Sequence, residues 1–70
     1  MKISYDKEAD AAYIRLSDDL PLSAIEAGDG IHIDLTADKH IVGIEILDAS
    51  KKISLDTLYK YEFDAEMEVV

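Results

Sequence analysis

Three side chains able to carry proton-transfer or metal chemistry lie close together in the sequence: His32, Asp34 and Glu45. Glu45 stands inside residues 41–50, IVGIEILDAS, the most hydrophobic run of the chain. A carboxylate beside an imidazole orients the ring and stabilises its charged form, which is the basis of a proton-transfer pair. With Asp34 added, the set offers three hard or borderline ligands to a divalent metal. The competing reading is a cross-strand salt bridge on a solvated sheet face, worth roughly 0.2–1 kcal/mol. That reading is preferred, because no nucleophile or oxyanion donor accompanies the three. No catalytic residue, cofactor site or metal site is therefore assigned, no cofactor is expected, and His32, Asp34 and Glu45 stand as a candidate cluster only.

Other residues invite similar double readings. His40, in the ADKH segment, is expected in solvent at a turn. Ser50 beside Lys51 hints at a hydroxyl nucleophile with a basic neighbour, but adjacent residues on a helix do not face one another. Asp48 and Ser50 read instead as caps that bind backbone amides at a turn or helix start. The GDG at residues 28–30 lacks the lysine and following helix of a phosphate-binding loop, so it reads as a hairpin turn. Gly43 marks either a bulge or a close approach of another backbone, with the bulge preferred. A bulge there would shift the register and move Glu45 away from His32.

These side chains are positioned by strands. Met1, Ile3 and Tyr5 alternate with polar residues before KEAD, and Ala12, Ile14 and Leu16 alternate after it. Matching apolar faces pairs Tyr5 with Ala12, Ile3 with Ile14 and Met1 with Leu16. Pro21 marks a break. A second hairpin closed by Gly28 and Asp29 pairs Ala27 with Gly30, Ile25 with His32, Ala24 with Ile33 and Leu22 with Leu35. A turn at residues 37–40 then pairs Val42 with Leu35, Ile44 with Ile33 and Ile46 with Ile31. On this register the less apolar face carries Ile25, His32, Asp34, Gly43 and Glu45. Glu45 is expected there half-buried, paired with His32, Lys51 or Lys52.

Beyond the fifth strand, Ser54 is placed to cap a short helix carrying Leu55, Leu58 and Tyr59. From Tyr59 the chain alternates strictly, with Tyr61, Phe63, Ala65, Met67 and Val69 on one side and Lys60, Glu62, Asp64, Glu66 and Glu68 on the other. That pattern predicts a sixth strand or an extended arm. The expected fold class is α+β, mostly β: an antiparallel β-meander of five to six strands with one short C-terminal helix. It forms a single small domain over residues 1–70, with residues 1–58 as meander plus helix and 59–70 as alternating strand or arm.

Composition limits what such a domain can do. Sixteen acidic residues against seven basic ones give a net charge of −9, which repels nucleic-acid phosphates and anionic lipid surfaces. Nucleic acid and membrane are excluded as partners, and a cytoplasmic location is expected from the absence of a leader or a membrane-spanning run. The hydrophobic fraction of 49% is that of a folding chain. Yet 70 residues without a cysteine cannot be stapled by disulfides, and a core of this size is marginal alone. A homodimer is the expected remedy, with a small basic protein as a possible further partner.

Two blocks, MKISYDKEADAAYIRLSD and IVGIEILDASKKI, resemble the signature of a bacterial and archaeal family catalogued as domain of unknown function 2283, over residues 1–54. The resemblance implies a small antiparallel sheet with a helix and no established activity. Relatives lying beside small toxin-like proteins would suggest an antitoxin or immunity role. The expectation is an acidic interaction or structural module that self-associates and lacks catalytic activity. The alternative is an antitoxin-like protein that neutralises a small basic toxin through its acidic arm, with Tyr59, Tyr61, Phe63 and Met67 as interaction residues.

Overall fold

The computed structural model describes residues 1–66. Five strands, β1 (Lys2–Asp6), β2 (Ala11–Arg15), β3 (Ser23–Gly28), β4 (Ile31–Leu35) and β5 (Ile41–Leu47), form one antiparallel sheet. A one-turn helix, α1 (Ala49–Lys52), and a 3-10 helix (Leu55–Tyr59) follow. The first hairpin keeps the expected register, Ile3 opposite Ile14 and Tyr5 opposite Ala12. Its turn is held by the Asp6 carboxylate, which accepts from the amides of Glu8 (3.0 Å) and Ala9 (3.2 Å).

The antiparallel, mostly β fold with a short helix is as expected, but the strand order is not that of one continuous meander. The order is β1-β2-β5-β4-β3. Strands β3 to β5 do form a meander, and β5 then takes β2 as its second neighbour, so the last strand is the central one. The longest apolar run therefore sits where both of its edges are paired, which is where an unbroken hydrophobic strand is most stable.

Across this order the apolar side chains line up in rows. Ile3, Ile14, Ile44, Ile33 and Ile25 are successive partners, one from each strand, so a row of isoleucines crosses the entire sheet. The neighbouring row on the same face is Tyr5, Ala12, Ile46, Ile31 and Gly28. By alternation, the opposite face presents Ser4, Tyr13, Glu45, His32 and Glu26 in one row, and Lys2, Arg15, Gly43, Asp34 and Ala24 in the next.

The expected register of the second hairpin is corrected by one residue. Ile25 pairs with Ile33, Glu26 with His32 and Ala24 with Asp34, and a bulge between Glu26 and Gly28 absorbs the slip. The turn residues are Asp29 and Gly30 rather than Gly28 and Asp29, and it is Gly30 that takes positive φ (72°). The physical reason is that the slip moves Ile25 from the polar face to the apolar one, completing the isoleucine row. A second irregularity lies between Asp34 and Leu35, where Leu35 pairs with Ile41 instead of Val42. Val42 is the extra residue, fully buried, and its carbonyl accepts from the amides of Leu16 (2.8 Å) and Ser17 (3.1 Å).

Among the described residues only Ala12, Val42 and Ala49 form the fully buried apolar core. The apolar rows are half-buried, and Ile25 is 50% exposed. The caps also differ from expectation. Asp48 enters α1 with a left-handed backbone (φ 52°) and no side-chain capping bond. Ser54 precedes the 3-10 helix, but it is its carbonyl, not its hydroxyl, that contributes, accepting from Thr57 N (3.0 Å) and Thr57 Oγ1 (2.7 Å). No sixth strand forms among the described residues, since residues 60–66 make no ladder. Met67 and Val69 lie outside the described residues.

Candidate functional site

Chemistry-bearing side chains gather at two places, the middle of the polar face and the junction of the first turn with α1. On the polar face, β4 and β5 bring His32 directly opposite Glu45, as the sequence predicts. The bulge that threatened this pair falls at Val42, on the far side of Gly43, so the register at Glu45 is untouched. His32 Nδ1 lies 3.4 Å from Glu45 Oε1, and Nε2 lies 3.8 Å from Glu26 Oε2. Glu26 was not foreseen there, because only the bulge in β3 turns it to this face. The imidazole thus bridges two carboxylates on neighbouring strands. Its Nδ1 is shielded from solvent and makes no well-directed hydrogen bond.

Asp34 does not join them. Its carboxylate accepts a 2.9 Å hydrogen bond from the hydroxyl of Tyr13, which reaches from β2 across the central strand. Gly43 makes this reach possible. A side chain at Gly43 would collide with the Tyr13 phenol and come within 2.9 Å of the Ile14 carbonyl. The bulge preferred at Gly43 is not there, since Gly43 pairs in register with Asp34; the other reading, a close approach, holds, and the approaching groups are a side chain and a backbone oxygen. Burial, then the Asp34 hydrogen bond, pushes the Tyr13 phenol above its ordinary range. Arg15 lies 5.8 Å from the Tyr13 ring centroid, in cation–π range. His32, Asp34 and Glu45 therefore share a face without converging, and among the described residues no group of three acidic, His or Cys side chains is placed to hold a metal ion.

The second gathering was not legible in the sequence. Asp10, at the end of the first turn, has a left-handed backbone (φ 51°) and accepts from Tyr5 Oη (2.7 Å), Ser50 N (3.0 Å) and Ser50 Oγ (2.7 Å). Its carbonyl also accepts from Ala49 N (2.9 Å). The start of α1 is thus capped from the first hairpin, a role expected of Asp48 and Ser50. The Ser50 hydroxyl directs its proton to a carboxylate, which is the arrangement of a cap rather than of an activated nucleophile. The Ser50 bonds, then the Tyr5 bond, hold the Asp10 carboxyl below its usual range, and the same contact raises Tyr5. The only local signal was an acidic residue able to take positive φ at the last turn position.

The remaining candidates fall apart. His40 is exposed at its turn, 3.6 Å from Asp38. That turn is organised by Thr36, whose hydroxyl donates to Asp38 (2.6 Å) and accepts from His40 N (3.0 Å). Lys52 donates to the Leu47 carbonyl instead of pairing with Glu45. Tyr59, Tyr61 and Phe63 are exposed by 87, 73 and 61%. Leu58 and Tyr59 line a cleft with Ile3, Ser4 and Tyr5, and Tyr61 lines another with Met1 and Ile3, so this segment runs beside β1. Among the described residues no helix is long and apolar enough to cross a membrane.

One family model, described as a protein of unknown function (DUF2283), matches residues 2–50, from the start of β1 into α1. No curated protein and no solved structure matches the chain.

Proposed function

Because the chain belongs to the DUF2283 family, whose description assigns no activity, we propose a reading from its geometry: a self-associating structural module without catalytic activity, in which the isoleucine faces of two copies stack. The observation that carries it is the row Ile3, Ile14, Ile44, Ile33 and Ile25, spanning all five strands where only three apolar side chains among the described residues are fully buried. Fully burying an isoleucine contributes roughly 1.5–3 kcal/mol, a large fraction of the roughly 5–15 kcal/mol stability margin of a domain. A second sheet stacked about 10 Å away is the usual cover for such a face. The polar face supports the same reading, since its histidine bridges two carboxylates and its tyrosine is engaged by Asp34.

Light scattering tests it. The protein is expected at twice its 7.8 kDa chain mass, or a multiple of that pair, at micromolar concentration. Ile25→Asp, at a half-exposed edge position, is expected to lower that mass by undoing the stacked pair, with its β circular dichroism retained. A wild type that stays folded at single-chain mass up to millimolar concentration would sink the reading.

The exposed Tyr59, Tyr61 and Phe63 beside Glu62, Asp64 and Glu66 favour a second reading, neutralisation of a small basic toxin through this acidic arm. Its test is a toxic basic protein encoded next to this one. Rescue of growth by this chain is expected, and loss of rescue on Tyr61→Ala with Phe63→Ala.

A further inference from the structure

The sheet has two outer edges, β1 and β3, and they are not equivalent. Strand β3 carries a bulge, a device that discourages edge pairing. Strand β1, KISYD, is regular over its whole length, and among the described residues no backbone hydrogen bond reaches its outer side. Lys2 sits opposite Arg15 in the ladder, a like-charge pair, and among the described residues neither Lys2 nor Asp6 enters an ion pair. Like charges directly opposite are destabilising, and on the outer side of β1 Lys2 has no strand partner, the segment beside it being Leu58 and Tyr59, which line a cleft against Ile3, Ser4 and Tyr5 without a backbone hydrogen bond to them.

We infer that β1 pairs antiparallel with β1 of a second copy about a two-fold axis at Ser4. The sequence KISYD is self-complementary in that register. Lys2 of each copy faces Asp6 of the other, Ile3 faces Tyr5, and Ser4 faces its own symmetry mate. Each Lys2 gains the carboxylate that its own sheet denies it, and two opposite-charge pairs form at once. Ile3 and Tyr5 lie on the apolar face, so the isoleucine row of one copy runs on into the tyrosine row of the other, making one apolar face over ten strands. On β3 the equivalent axis at Ile25 would set Ala24 against Glu26 and match no charges. The inference rests on the proposed self-association only in taking a second copy as the occupant. It uses an edge rather than the isoleucine face, so the two contacts coexist and are separable.

The absence of cysteine gives a direct test. A residue on the axis meets its mate with Cα atoms about 4.5–5.5 Å apart, within the range a disulfide spans. Ser4→Cys is expected to form a covalent dimer under mild oxidation at least about tenfold faster than Glu26→Cys, an exposed thiol on the other edge. Adding Lys2→Glu to Ser4→Cys turns both attractions into repulsions and is expected to slow cross-linking about tenfold, with circular dichroism unchanged. If Ser4→Cys cross-links no faster than Glu26→Cys while scattering still reports association, the edge pairing is wrong and the stacked-face reading stands. Indifference of the rate to Lys2→Glu also overturns the edge register. A chain that is monomeric throughout removes both.

Discussion

Gly43 and Asp10 each decide more than their size suggests. Gly43 leaves the space through which Tyr13 reaches Asp34. Gly43→Ala is expected to destabilise by about 2 kcal/mol through overpacking, measured by urea unfolding. In a Tyr13→Ala background the penalty is expected to shrink without vanishing, because the Ile14 carbonyl still crowds the site. Asp10 gathers four donors from a tyrosine and the helix start. Its carboxyl titrates lower in the folded state than in the unfolded one, so the unfolded chain binds the extra proton first. The stability Asp10 contributes is therefore present above the ordinary carboxylate range and is lost as pH falls through its depressed folded value. Asp10→Asn is expected to be less stable than wild type at neutral pH, with the gap narrowing on acidification, followed as melting temperature against pH. The outcome that would contradict this is a gap that widens at low pH.

The hairpins show what a sequence of alternating residues can and cannot specify. The first was legible because its apolar sets match in only one way around KEAD, Ile3 with Ile14 and Tyr5 with Ala12. The β4–β5 pairing was legible at Glu45 for the same reason. The β3 register was not, because GDG offers two places for a tight turn and a single bulged residue switches between them. Without that slip the expected register hid Glu26 from the candidate site and left Ile25 within it. The neighbour of β2 was also illegible, since local alternation says which face a residue occupies but not which strand lies beside it. Gly30 is where the true turn shows its cost. With φ at 72° and the Leu47 and Lys52 side chains close by, Gly30→Ala is expected to cost about 1–2 kcal/mol. Gly28→Ala, at ordinary φ and with open contact distances, is expected to cost less, and equal penalties in thermal melts would contradict the turn assignment.

For the molecule as a whole, the proposed stacking of apolar faces would make stability and association a single property, so on that proposal melting temperature is expected to rise with protein concentration. The family match covers the sheet and the start of α1, and the aromatic and acidic arm lies outside the matched part. The placement of β5 has a separate consequence, in time rather than in space. The strand that joins the halves is the last to leave the ribosome, and its bonds to β2 close the longest loop in the sheet, Ala11 to Leu47. Until it is made, the two hairpins have no common edge, and a chain ended before Ile41 holds two isolated hairpins of marginal stability. Closing so long a loop is paid in entropy before any contact rewards it, which places folding among the slower, millisecond-to-second processes of non-local sheets. Ile44, which bonds the row on both sides, then belongs to the nucleus. Ile44→Val is expected to slow refolding about threefold in stopped-flow measurements and to leave the unfolding rate nearly unchanged. The last strand acts as the keystone, and the sheet waits for it.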